Sequence, residues 1–398
     1  MKLLLIFVLV LVLVSRKQPI WIAIFAGAAA TWLLYGISLQ EGLLGIYRAC
    51  VSWDTVSLIL VMYIVTFLQK MMGKRNAIQR AQKGLSALFN NRWVNCAAAP
   101  IFIGMLPTPN AAFIAGDVVK ASAADHLNHD EMAVTTTYFR HVSESFMPTY
   151  GSIILALGLA GVSAGEFVVG MLPIVLCIVA AGCFWFLRKV PMKTQGGAGA
   201  KKAKCAAEIG IGLWPILVCI LMVVILKMQI LTASSLVLVV YFLIHRFRFG
   251  EIKGLFAESL QFKLYLNTLA VMVLKEFLTV SGVISTLPDF FAKLPIPSFL
   301  VFILIFFFGS VVSGSSTIIG LCMPVAMATV PGAGLPLVCL LMGVAYAAMQ
   351  ISPTHVCLTL TADYFEIPFG RLIRKTLPAV MTTVAFTVAY YLVWNWLV

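Results

Sequence analysis

Charged side chains are scarce in this sequence. Asp, Glu, Lys and Arg make up 11% of its 398 residues, against about 25% in a soluble globular chain. With 61% of the residues hydrophobic, there is too little charge to clothe a soluble surface. Apolar runs of about 20 residues, the length of a membrane span, recur from end to end, so a polytopic membrane protein is expected. The nine cysteines are scattered without a CxxC pair. That excludes a disulfide framework or a zinc ribbon and leaves them as small hydrophobes. Walker loops and Rossmann glycine patterns are also missing, so ATP-driven transport would need a separate subunit. No small-residue cleavage site follows MKLLLIFVLVLVLV (1–14), and this run reads as a short first helix. Acidic residues number 15 against 28 Lys and Arg, for a net charge of +13. The basic residues cluster in short segments between apolar runs. That is the positive-inside pattern of a membrane chain, not a nucleic-acid surface.

What is present is a series of apolar runs near 2–14, 19–39, 54–72, 132–160, 165–187, 208–227, 231–245, 262–281, 336–364 and 373–397. Two further runs, 93–122 and 298–330, are interrupted by LPTPN (106–110) and SGSST (313–317). Each is either two full crossings or a re-entrant hairpin. Basic clusters at Lys70–Arg92, Arg188–Lys204, Arg246–Lys253 and Arg371–Lys375 can share the cytoplasmic side only if both interrupted runs return to the side they left. The hairpin reading fits. The first hairpin opens to the cytoplasm, the second to the exterior, and both termini lie outside an inner (cytoplasmic) membrane.

The halves resemble each other. MPTYGSIILA (147–156) aligns with SPTHVCLTLT (352–361), Pro148 falling on Pro353 (353 − 148 = 205), and LPTPN falls near VSGSS at the same offset. VMYIVTFL (61–68) resembles VMVLKEFL (271–278). The expected fold is an all-α polytopic membrane protein with residues 1–190 and 208–398 as inverted repeats joined by a linker, 191–207. Each repeat holds five spans and one re-entrant hairpin. Broken helices at 132–160 and 336–364 sit at the midplane. Inverted repeats with broken helices are the plan of many secondary transporters.

A proline inside a span frees backbone groups that lipid cannot satisfy, so such breaks persist only within protein or beside a watery cavity. The helix ends they create can hold an anion at N–H groups or a cation at carbonyls. Substrate contacts are therefore expected from Thr108 and Asn110 at the first tip, and from Ser313, Ser315, Ser316 and Thr317 at the second. The breaks should add Thr149 and Tyr150, and Ser352, Thr354 and His355. These groups are small and mostly neutral hydroxyls, suited to a carboxylate or polyol that must bind and leave.

Ionisable groups at membrane depth are expensive and tend to be functional. In YFRHVSESF (138–146), Arg140 and Glu144 are four apart. Arg140 can attract an anion while His141 or Glu144 exchanges a proton; the alternative is a structural ion pair. Asp117 and Asp363 can ligate Na⁺ or carry a proton. Lys275–Glu276 is expected to pair locally. DHLNHDE (125–131) has metal-ligand residue types, but Asp and Glu there also suit a helix start, and no metal site is expected.

LPTPNAAFIAGD, FRHVSESFMPTYGSIILA and ISPTHVCLTLTADYF resemble an uncharacterised integral membrane family of the ion transporter superfamily. Gluconate permeases, citrate and C4-dicarboxylate carriers and arsenite permeases are its relatives. The resemblance implies a homodimer, elevator-like movement of hairpins and broken helices against a scaffold, and ion-coupled anion carriage. The first tip, Pro-Thr-Pro-Asn, departs from the Ser-Asn-Thr tips of sodium-coupled dicarboxylate carriers. The reading is a secondary transporter, not an enzyme, that carries a small organic anion with Na⁺ or H⁺ and needs no other cofactor. Its partners are the solute, membrane lipid and a second copy, and nucleic acid is not among them. The rivals are an anion channel, and an intramembrane serine hydrolase using Ser315 or Ser316 with His355 as base.

Overall fold

The computed structural model describes residues 2–77, 79–81, 84, 91–105, 111–192, 202–293 and 295–397. The expected first tip, with Thr108 and Asn110, lies outside the described residues, as does most of the 191–207 linker. All described elements are helical. The first half holds α1 (Lys2–Ser15), α2 (Ile20–Tyr35), α3 (Leu39–Val51), α4 (Trp53–Lys74), α5 (Arg92–Gly104), α6 (Ala111–Ala123), α7 (His129–His141), α8 (Gly151–Ala160) and α9 (Ala164–Gly182). The second half holds α10 (Lys202–Val224), α11 (Ile230–His245), α12 (Phe249–Glu258), α13 (Phe262–Val280), α14 (Val283–Ala292), α15 (Ser298–Ser313), α16 (Ser315–Thr329), α17 (Leu335–Met349), α18 (Val356–Tyr364) and α19 (Phe369–Leu397).

Local chemistry sets most boundaries. Ser38 and Asn128 open α3 and α7 with reciprocal capping boxes to Glu41 and Glu131. Ser52, Asn91 and Ser163 cap α4, α5 and α9. Gly36, at φ 67°, ends α2, so the run expected over 19–39 stops at Tyr35. Past that stop lies α3, and past α11 lies α12; both short helices escaped the hydropathy reading because charged residues interrupt their apolar faces. Four described helices are long and apolar enough to cross a membrane: Trp53–Lys74, Ala164–Leu187, Ala207–Val224 and Phe369–Leu397. The other apolar helices are shorter; α15, with 16 residues, rises about 24 Å. At Ser281–Gly282 the chain bends by 71° between α13 and Val283–Asp289.

The packing follows the same order in both halves. Helix α13 packs on α2, and α11 packs on α4. Helix α5 packs on α6 and α7, as α15 does on α16 and α17. Across the halves, α16 packs on α8 and α18 on α6, while α19 lies against α7 and α9 against α17. Helix starts keep a near-constant offset: 335 − 129 = 206, 356 − 151 = 205 and 369 − 164 = 205. Helices α15 and α16 form a hairpin around one residue, Gly314, at φ 83° and ψ 148°, a conformation essentially reserved for glycine.

Lys275–Glu276 does not pair locally as expected. Glu276 faces Arg48 of α3 at 3.9 Å and so ties α13 to α3. A firmer tie holds the end of α4 to α12. Arg75 makes two bonds to the Glu251 carboxylate, at 3.0 and 3.1 Å, and its guanidinium lies 4.0 Å over the Phe247 ring. The Arg75 hydrogen bonds, with the Arg248 backbone N–H, hold the Glu251 carboxyl below its usual range. The stabilisation this represents is present above the unfolded-state value, about 4.3, and is lost as pH falls through the lowered folded value. Glu251→Gln keeps a cap acceptor but removes the charge. It is expected to melt below wild type at pH 7, with the gap closing on acidification below about pH 4. A pH-independent gap would show that the ion pair is not its source.

Candidate functional site

Both expected breaks are present, and they meet. The first begins earlier than the Pro148–Thr149 step suggested. Helix α7 ends at His141, a 3-10 turn covers Val142–Ser145, and α8 starts only at Gly151. Arg140 and His141 therefore close the α7 helix, and Glu144 lies within the break. In the second, α17 ends at Met349 and α18 starts at Val356. Helices α8, α16 and α18 all begin without a side-chain cap. Backbone carbonyls take up the Ile153 and Leu358 N–H groups, and no side chain caps the N–H groups before them.

The ionisable groups gather where the breaks touch. Arg140 is 2% exposed and His141 is fully buried. Arg140 Nη1 lies 3.4 Å from Glu144 Oε1 and 3.0 Å from His141 Nε2. His141 Nδ1 lies 2.5 Å from the Thr137 carbonyl, which can only accept. That contact fixes the Nδ1–H tautomer and leaves Nε2 as the basic atom. Nε2 faces His355 Nε2 of the other half at 2.8 Å. His141 and His355 thus form a direct hydrogen bond between the two breaks, with the Glu144 carboxylate 3.8 Å from the His141 end. Gln350, also buried, donates to the Tyr138 carbonyl at 3.2 Å and to the Tyr346 hydroxyl at 2.6 Å.

Each hairpin end is seated on the break of its own half. Tyr150 donates to the carbonyl of Gly104, the last residue of α5. A Cβ on Gly104 would lie 1.8 Å from the Arg140 carbonyl oxygen, so only glycine permits this approach. In the second half Ser352 donates to the Val311 carbonyl at 2.8 Å and meets the Thr354 hydroxyl at 2.8 Å. Thr354 faces Gly314, the turn of the hairpin.

Of the residues singled out in the sequence, Arg140, His141, Glu144 and His355 form one cluster. Tyr150, Ser352 and Thr354 tie the breaks to the hairpin ends, and Thr149 lies half-buried beside Tyr150. Ser315 and Ser316 begin α16, half-buried and exposed respectively. Ser313 and Thr317 donate along their own chain, to Gly309 and Ser313 carbonyls. Asp117 is exposed and accepts from Tyr364, at the contact of α6 with α18. Asp363 is exposed near the end of α18. Two of the DHLNHDE acids serve as caps and ion pairs: Glu131 holds Lys189 at 2.7 Å, and Asp130 meets Arg371 and Lys375 at 3.5 and 3.8 Å. Sequence reasoning missed Gly104, Gln350 and Cys357. Only Cys357 carried a signal: it lies two residues past His355, and its thiol, His141 and His355 have ligand atoms within 4.8 Å of one another. Two nitrogens on one tetrahedral zinc stand about 3.3 Å apart. The 2.8 Å His–His distance and the adjoining guanidinium suit a hydrogen bond rather than a shared cation.

The fold and the paired breaks define an all-helical membrane protein. Among solved structures it is similar to the YdaH transporter of Alcanivorax borkumensis, whose topology is described as unusual. The TM-score is 0.58 at 11% identity, over 90% of this chain and 89% of the other. No curated protein matches. Residues 1–394 match the family described as protein of unknown function DUF401, and the chain belongs to that family.

Proposed function

We propose that the chain is a proton-coupled secondary transporter of a small organic anion, a carboxylate or sugar acid, working by an elevator-type alternation. The observation that carries this reading is the hydrogen bond between His141 and His355, with Arg140 against His141 and uncapped helix ends beside it. Arg140 and the free N–H groups attract the carboxylate. The coupling proton is the extra one that makes the pair an imidazolium, shared between His141 Nε2 and His355 Nε2. Glu144 accepts it when the pair opens, leaving both rings neutral. Thr149, Ser315, Ser316 and Thr354 supply hydroxyls to the rest of the solute. In the same reading, Asp117 and Asp363 lie at the rim rather than at the coupling centre.

The two halves are inverted repeats, residues 1–190 and 208–398, with re-entrant hairpins at α5–α6 and α15–α16. Matching packing and near-constant helix offsets support this. Hairpins and broken helices move as one body against a scaffold that includes α2, α4, α11 and α13, in a homodimer in the inner membrane with both termini outside. Membership of the ion transporter superfamily belongs to the same reading. The structural similarity to YdaH, a protein described as a transporter, is consistent with it.

The test uses purified protein in liposomes. An acid-outside pH gradient is expected to drive saturable gluconate uptake, in Na⁺ and K⁺ buffers alike. His141→Gln is expected to lose stimulation by the gradient while exchange of internal for external solute persists. Uptake indifferent to pH but dependent on Na⁺ would overturn proton coupling. Currents without counterflow would favour a channel.

A further inference from the structure

We propose that a basic cleft where α9 ends and α19 begins binds the phosphate headgroup of an anionic phospholipid. The cleft has a volume of about 590 Å³, and Arg188, Lys189, Arg371, Arg374 and Lys375 line it, with Glu131 as the one carboxylate. Glu131 is already engaged: it accepts from the Asn128 N–H at 3.1 Å and holds Lys189 at 2.7 Å. Asp130 nearby accounts for Arg371 and Lys375. Arg188 lies 5.7 Å over the Phe184 ring and makes no ion pair among the described residues; neither does Arg374.

Two physical features suit the cleft to an anion beyond ordinary basic decoration. First, Arg371, Arg374 and Lys375 occupy the first two turns of α19, and that first turn has no acidic residue. The positive end of the helix dipole repels cations there; Asp130 offsets Arg371 and Lys375 but leaves Arg374, and Arg188 across the cleft, without a carboxylate among the described residues. Second, the cleft opens onto an apolar strip. Arg374, Leu377 and Met381 share one face of α19 by their i, i+3, i+7 spacing. Leu377 and Met381 are exposed, as is Trp185 on the α9 side, whose indole donates to Thr382 at 3.2 Å. Tryptophan at the headgroup level with aliphatic side chains below it is the arrangement of a membrane interface. A free phosphate would use the cations alone, whereas a phospholipid uses the strip as well. The proposal does not depend on which solute the protein carries.

The experiment measures apparent melting of the full-length protein in detergent, titrated with phosphatidylglycerol, phosphatidylcholine or inorganic phosphate. Phosphatidylglycerol is expected to raise the melting temperature, and the other two are not. Each cation at such a surface contributes about fivefold in affinity. Arg374→Gln should therefore raise half-saturation about fivefold, and the Arg188→Gln, Arg374→Gln double variant about 25-fold. Arg374→Lys, which keeps the charge, should respond like wild type. Both arginines are exposed, so melting without lipid should be unchanged. Equal stabilisation by phosphatidylcholine, or an unshifted half-saturation in the double variant, would overturn the site. Inorganic phosphate reproducing the full effect would overturn the lipid as its occupant.

Discussion

Arg140→Gln is expected to abolish saturable anion binding, with a loss of about 10²-fold or more. The side chain is 2% exposed and touches both Glu144 and His141. In the proposed mechanism it also supplies the buried positive charge that a carboxylate meets. Its removal leaves Glu144 with the nearest cation gone, and breaking a buried pair on one side costs about 3–5 kcal/mol of stability. A binding loss alone would therefore be ambiguous. The Arg140→Gln, Glu144→Gln double variant separates the effects: removing both charges should restore much of the melting temperature while binding stays lost. Arg140→Lys keeps the charge but not the planar fork and should fall between. Full gluconate affinity in a folded Arg140→Gln protein would leave Arg140 as a structural ion-pair partner only.

Gly104→Ala is expected to be among the most destabilising single-methyl additions in the chain. The added Cβ would meet the Arg140 carbonyl oxygen at 1.8 Å, its carbon at 2.9 Å and Ser143 Oγ at 2.8 Å. Two of these atoms are backbone at the end of α7, where the first break begins, and cannot rotate away. Helix α5 must retreat from the break, with loss of the Tyr150 bond to the Gly104 carbonyl. The cost should reach the upper end for overpacking, about 3 kcal/mol. Gly158→Ala is the control. The three atoms nearest its Cβ would all be Leu58 side-chain atoms, at 2.5–3.0 Å, and a leucine can change rotamer. Melting in detergent should fall much further for Gly104→Ala than for Gly158→Ala. Equal melting would mean that α5 is not seated on the break.

Much of this architecture was legible because membrane depth simplifies the reading of a sequence. Proline, serine and histidine inside an apolar run need a protein-lined environment, so both breaks could be located from QISPTHVC and SESFMPTY alone. The His141–His355 contact was not legible. The two residues are 214 apart, and the alignment of the halves places Tyr346, not a histidine, opposite His141. Arg140 and Glu144 read as one helix face, because nothing local announces that α7 ends at His141. Gly104 looked like any glycine in an apolar run; its role comes from a backbone brought against it from another helix. The short helices α3 and α12 were hidden for the opposite reason. The Ser38–Glu41 capping box of α3 and the Glu251 carboxylate that accepts from the Arg248 N–H in α12 are local features, but hydropathy does not register them.

The most direct test of the central idea, that the two breaks build one site, is a double-mutant cycle on gluconate affinity with His141→Gln and His355→Gln. Affinity is read from ligand-induced stabilisation in detergent. If one proton-sharing pair serves one solute, the double variant should bind about as weakly as the worse single variant. If instead the two losses add to within about 0.5 kcal/mol, as independent positions do, the histidines act separately and the shared site is wrong.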